Sequence, residues 1–368
     1  MKKFSFLSAL VLPLFIASAA SAGPISSSPT LAGNVIGIGL SGPNKVLAVG
    51  FSTNTIYSVN FNTDAPTVIT DGTITSLQGP EIFVPVPGTS NQYFVSNEQG
   101  SAISVVSVSN GVATPVTSFG NQNAVSGVAV LNGILYAESQ VGGLDEYSLV
   151  NGSWTLLKSI TTPYTSFGGM SVTATGNIVI GTSAGLQILS PTGTLLSSFG
   201  ASIGQVAGVA VDGAGNIFAS SPNTGTVYKY SQNGTLITTF QVPGGSSAWQ
   251  IAIDAYGNMF VSTWLTGTVV KFGNAGAAFI QNTTPDAPTN LAAATVGHTT
   301  MKMTWNYQTS PTTQFICTAS NGATATVTGT SCSLNGFDLY NPGSYSFSVT
   351  AVVDGVQSDA AVLSVSVK

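Results

Sequence analysis

The sequence predicts an all-β protein of two parts: a six-bladed β-propeller followed by an immunoglobulin-like β-sandwich. Three observations carry this. Helix formers such as Lys, Arg and Glu are scarce, only 6% of residues are charged, and Gly, Thr, Ser, Val and Asn dominate, a composition of strands and turns. A short apolar strand recurs six times at steps of 47, 41, 44, 39 and 42 residues, beginning at Val46, Tyr93, Ile134, Ile178, Ile217 and Met259. Beyond Gln281 that rhythm stops and seven differently spaced strands follow.

Each unit adds strands around the landmark. A strand of the kind "GVAV" precedes most of them, as in Gly127 to Val130, Gly169 to Val172, Gly208 to Val211 and Gln250 to Ile253. A third follows a Gly-Thr turn ("GTVYKY", "GTVVKF") and a fourth a second turn ("GTLITTF"). Four short strands in about 42 residues is the arithmetic of a propeller blade. Radial repetition leaves few open sheet edges, which a chain this apolar needs.

The start "MKKFSFLSALVLPLFIASAASAG" has a basic head, an apolar run and small residues at Ala20 and Ala22. It reads as a secretory signal peptide over residues 1–22, and no cysteine near the cleavage point offers a lipid anchor. The expected destination is outside the cell, in the periplasm or at the cell surface, with no membrane span in the mature chain. An outer-membrane barrel is excluded on strand length, since apolar segments of about five residues fall short of the roughly nine to eleven that cross a bilayer. Loss of Lys2 and Lys3 leaves six lysines, no arginine and 13 acids. Nucleic acid and anionic lipid therefore lack an electrostatic driving force. The expected boundaries are 23–33 for an N-terminal segment, 34–281 for the propeller, 282–288 for a Pro-containing linker and 289–368 for the second domain.

The units "GVAVDGAGNIFAS" (208–220) and "QIAIDAYGNMFVS" (250–262) resemble NHL-type propeller repeats and the related gluconolactonase and virginiamycin-lyase propellers, a likeness spanning residues 34 to 281. The C-terminal part resembles a fibronectin type III domain through Pro288, Leu291, Trp305, and Leu339 six residues before Tyr345, the expected corner tyrosine. Cys317 and Cys332, the only cysteines, are expected to pair in an exported protein. Closing 15 residues would contribute about 3 kcal/mol.

Asp212 and Asp254 recur at the same place in two repeats and give way to Ser41, Leu131 and Thr173 elsewhere. A carboxylate that lapses to Leu suits a turn, where Asp accepts backbone N–H groups two residues on. The resemblance implies catalytic or metal-binding residues that are missing here. The propeller has no histidine, the lone His298 lying in the second domain, and the Glu-Gly-Pro of gluconolactonase-type propellers reads Gln78-Gly79-Pro80, with Glu81 behind it. The position where NHL repeats carry Asp reads Gly50, Asn97, Glu138, Thr182, Ser221 and Thr263. No catalytic set, metal site or cofactor is expected.

The candidate ligand residues are Glu81, Glu98, Glu138, Trp249, Gln250 and Trp264. Glu81 and Gln250 align at the heads of their first strands, where three other repeats have Gly; Glu98 and Trp264 share a position beyond the landmark strand. An aromatic beside a carboxylate in a central concavity suits a sugar or small ligand, and the tryptophans equally suit packing between loops. The expectation is an exported, non-enzymatic binding protein whose partner is an extracellular protein, a glycan or a small molecule. The alternatives are a metal-dependent lactonase or lyase of the propeller type, and a structural surface or matrix component.

Overall fold

The computed structural model describes residues 24, 26–63, 65–131, 133–150, 152–161, 166–244, 247–276, 287–296, 298–307, 313–338, 343–353, 356–358 and 360–367. The expected signal peptide, most of the expected linker and Leu339 lie outside them. The described residues are strands and turns, with a single 3-10 turn at Ala201–Ile203.

Six antiparallel units are present. The first holds Val35–Gly42, Lys45–Gly50, Thr55–Asn60 and Thr67–Thr73, and the second Pro80–Pro85, Gln92–Asn97, Ile103–Ser109 and Val112–Phe119. One parallel bridge, Ile38 to Ile82, joins these two into an eight-stranded sheet. The third holds Val125–Leu131, Ile134–Ser139, Leu144–Val150 and Ser153–Ile160; the fourth Ser166–Val172, Ile178–Thr182, Gly185–Leu189 and Leu195–Phe199. The fifth holds Gly208–Val211, Ile217–Ser221, Thr226–Tyr230 and Leu236–Gln241. The sixth has Ala248–Ile253, Met259–Thr263 and Thr268–Phe272 from its own stretch of chain.

Burial explains the double-sided hydrophobicity of the landmark strands. Ile178–Thr182, Ile217–Ser221 and Met259–Thr263 are buried along their whole length, because a neighbouring sheet covers each face. The innermost strands touch in cyclic order, the last against the first. Their backbones come so near that a Cβ on Gly208 would lie 2.2 Å from the Trp249 carbonyl oxygen, and one on Gly37 would lie 2.4 Å from that of Glu81. Hydroxyls stitch the same layer. Ser220 Oγ accepts Gly208 N–H at 2.8 Å and donates to the Trp249 carbonyl. Ser262 Oγ accepts Gln250 N–H at 2.9 Å and donates to the Ile36 carbonyl at 2.6 Å.

Residues 26–31, which show no repeat pattern, complete the ring. Ser26–Ser27 pairs antiparallel with Thr268–Phe272, giving the sixth unit its fourth strand. Leu31 N–H donates to Gly267 O at 2.7 Å, and Val269 N–H to Ser28 Oγ at 3.0 Å.

Asp212 and Asp254 are buried at the turns after their inner strands. Asp212 Oδ1 accepts the N–H groups of Ala214 and Asn216 at 3.0 and 2.8 Å, and Asp254 Oδ1 those of Tyr256 and Asn258, both at 2.9 Å. Thr173 Oγ1 does the same for Asn177 N–H in the fourth unit. Asp254 Oδ2 also accepts Asn44 N–H at 3.0 Å, tying the sixth unit to the first. Lys271 Nζ donates to Asn44 Oδ1 at 2.6 Å across the same seam.

The C-terminal residues alternate in burial instead, as in Thr300–Asn306, because each sheet has one covered face. Thr289–Val296, Thr300–Asn306 and Ser331–Asn335 make a three-stranded sheet. Thr313–Ala319, Thr324–Val327, Gly343–Val353, Val356–Gln357 and Ala361–Val367 make a five-stranded one. Met301, Trp305, Phe315, Leu334 and Phe347 fill the space between, and the Cys317–Cys332 disulfide joins the two sheets. Tyr345 Oη donates to the Asp338 carbonyl at 3.1 Å.

The seam yields a test. Asp254→Ala removes acceptors from the turn and from Asn44 together, so urea denaturation should show a loss of about 2–4 kcal/mol. Asp212→Asn, which keeps an oxygen for its own turn, should cost less than about 1 kcal/mol.

Candidate functional site

Register decides which side chains meet at the end of the ring where the inner strands begin. Val35 pairs with Gly50, Pro80 with Asn97, Val125 with Ser139 and Ala248 with Thr263. The next residue in each second strand, Phe51, Glu98, Gln140 and Trp264, therefore rims that end. Neighbouring units meet along this rim. Gln140 Nε2 donates to Glu98 Oε1 at 2.8 Å, and the rings of Phe51 and Trp264 stand 5.9 Å apart. Trp249, at the start of the sixth inner strand, lies 5.1 Å from Trp264. All three aromatics are half-buried.

Two alignments expected from the sequence are corrected. Ser96 Oγ accepts Ile82 N–H, whereas Ser262 Oγ accepts Gln250 N–H, so Ile82 shares the row of Gln250, and Glu81 shares that of Trp249. The turn after this strand is longer than its counterpart, Pro85 pairing with Tyr93 where Ile253 pairs with Met259, so the distance to the landmark strand differs. Glu138 pairs with Gly127, as Ser220 pairs with Gly208. It thus belongs to the serine row, and Ser139 takes the place beside Asn97 and Thr263. The cause is a tighter turn, since Leu131 pairs with Ile134 where Val211 pairs with Ile217.

Glu81 is 0% exposed, and neither carboxyl oxygen makes a hydrogen bond of good geometry. Burial pushes its pKa well above the ordinary 4.5. The Glu98 charge, a carboxyl–carboxyl contact with Glu98 and the more distant Glu138 charge push the same way, while Trp249 acts in the opposite sense. These groups belong to the second, third and sixth units, and only the axis of the ring brings them to one carboxyl. Burying a carboxylate without a counter-charge is costly, so burial favours the protonated form. Gln250 points elsewhere: its Nε2 donates to the Ala207 carbonyl at 3.0 Å, bridging two inner strands.

The structure thus brings together Glu81, Glu98, Glu138, Trp249 and Trp264, and adds Phe51 and Gln140. Phe51 occupies the position, five after its landmark, that singled out Glu98 and Trp264, a signal the sequence carried, whereas Gln140 reaches it only through the one-residue shift of the third unit. Among the described residues no three His, Cys, Asp or Glu are arranged to hold a metal ion. A second concavity of ≈ 390 Å³ lies at the opposite end, among the turns of the third to fifth units, lined by Leu131, Thr173, Asn177, Gly213, Ile217 and Gln232. The repeated turn motif lines it through Asp212, Gly213, Ala214 and Gly215, and its lining holds no second acid, histidine or cysteine.

No family model matches the chain, and no curated protein matches it. Solved structures do. The chain is similar to the WD40 β-propeller domain of Doa1, with a TM-score of 0.54 and 14% identity over 71% of this chain and 100% of that one. It is also similar to a structural-genomics protein of unknown function from Bacteroides thetaiotaomicron VPI-5482, with a TM-score of 0.51 and 14% identity over 70% of this chain and 72% of that one. At that identity the likeness speaks for the fold alone: the repeated sheets form a β-propeller. No helix among the described residues is long and apolar enough to cross a membrane.

The state of Glu81 sets a pH dependence. With its folded pKa raised, its contribution to stability is full below the ordinary 4.5 and is lost as pH rises through the folded value. Glu81→Gln should therefore melt about 2–4 °C above the unsubstituted protein near neutral pH and coincide with it below pH 4. Calorimetric melts across that range are the check.

Proposed function

We propose that this chain is an exported, non-enzymatic binding protein that presents one end of a six-bladed, NHL-type propeller to a ligand or partner, with a fibronectin type III-like domain as spacer or second contact. The observation that carries the binding reading is the convergence of Trp249, Trp264 and Phe51 with the Glu81–Glu98 pair at the axis. Half-buried aromatics beside carboxyls combine apolar area with fixed polar groups, the usual make-up of a recognition surface. Six four-stranded units support the blade number. The three- and five-stranded sheets with the Tyr345–Asp338 contact support the fibronectin-like reading. An inter-sheet disulfide fits an oxidising compartment outside the cytoplasm, in keeping with the signal-like N-terminus.

The second reading, a structural surface or matrix component, is favoured by the outer strands. Leu156, Leu157, Leu195, Leu196, Leu236 and Ile237 are exposed on three successive units, an apolar rim suited to assembly. The lactonase or lyase reading has least support, because the acids at the axis lack a histidine partner and do not gather as metal ligands.

A panel of glycans, peptides and small molecules, followed by tryptophan fluorescence and thermal shift, tests the binding reading. Trp249→Ala with Trp264→Ala should remove any bound class by tenfold or more (about 1.4 kcal/mol) while the ring still melts cooperatively. Lactone or glycoside turnover that vanishes in Glu81→Gln would replace this reading with the enzymatic one.

A further inference from the structure

The chemistry at the axis goes beyond "a ligand" to a particular kind. Glu81 is enclosed, its oxygens lack hydrogen bonds of good geometry, and the charged groups acting on it are Glu98 and Glu138, both acids. No cation is among them. Glu98, half-buried at the rim, meets a neutral amide from Gln140. The rim of acid and aromatic side chains thus has further acids behind it, and the charged groups that act on Glu81 include no cation. Trp264 stands in ring contact with both Phe51 and Trp249, so three half-buried aromatic rings adjoin at the same rim. Carboxylate and aromatic faces are the two groups that recognise an organic ammonium.

Resting on the binding reading of this end of the ring, we propose that its ligand carries an alkylammonium group, which docks against Glu98 and the Trp249–Trp264–Phe51 cluster with Glu81 behind it. The ammonium supplies the missing counter-charge and favours the ionised form of Glu81. Binding therefore expels the Glu81 proton to solvent, and affinity rises with pH over the range in which Glu81 titrates. Glu98, Glu138 and Trp249 are the groups that face Glu81, and all belong to the same mouth.

Calorimetric titration with n-butylammonium, tetramethylammonium and the neutral isostere n-butanol tests this on the full chain. The ammonium probes should bind at least about tenfold more tightly than butanol. Repeating the titration in buffers of different ionisation heat should show proton release that disappears in Glu81→Gln. Glu98→Gln and Trp264→Ala, both at the rim, should each weaken ammonium binding several-fold while the ring still melts cooperatively. Nα-acetyl-lysine methylamide against glucosamine then separates the lysine side chain of a partner from an amino sugar. If neutral glycans or peptides bind and are lost in the double tryptophan variant while the ammonium probes gain nothing over butanol, the site stands and the ammonium proposal fails. Ammonium binding indifferent to Glu98→Gln and Trp264→Ala overturns the proposal as well.

Discussion

The backbones of neighbouring inner strands approach closely enough to forbid a Cβ at Gly37 and Gly208, and the remaining structure follows from that crowding. Close approach lets the hydroxyls of Ser220 and Ser262 reach the next unit's carbonyls. It puts sheets on both faces of every second strand, which is why those strands are hydrophobic throughout and not alternating. It also brings Glu81, near the start of its inner strand, within reach of Glu98 in its own unit, Glu138 in the third and Trp249 in the sixth.

A ring made of units cut from one continuous chain has a weak point where its ends meet. Here three kinds of interaction cover it: the pairing of Ser26–Ser27 with Thr268–Phe272, the Asp254–Asn44 hydrogen bond and the Lys271–Asn44 contact. Asp254 shows how a turn residue acquires a second role. One carboxylate oxygen holds its own turn while the other reaches the first unit. Asp212, in the same local motif, turns its second oxygen toward Lys229 at 3.6 Å, within the fifth unit.

The architecture was legible because its two rhythms differ physically. Strands covered on both faces repeat as short apolar runs about 42 residues apart, and strands covered on one face alternate, as Thr300–Asn306 does. Turn chemistry was legible at Asp212 and Asp254 because Asp, Gly and Asn each have a local reason to be there. Closure by residues 26–31 was not, since two paired serines carry no hydrophobic pattern. The site was half legible. Trp249, Trp264, Glu81 and Glu98 stood out as rare residue types in an uncharged chain. Their rows were misread by one residue at Glu81 and Glu138, where a lengthened turn in the second unit and a shortened one in the third break the count that sequence spacing relies on. Phe51 and Gln140 were overlooked because neither type is rare enough to draw notice without the register.

The central claim is that the propeller is one cooperative ring, as stable at its seam as at its innermost strands. Native-state hydrogen exchange measures this residue by residue. The amides of Leu31, Asn44 and Val269, all hydrogen-bonded across the seam, should be protected to the same free energy as those of Gly208 and Gln250 in the inner strands. Exchange at the seam through openings well below that free energy, with the inner strands still protected, would contradict the account.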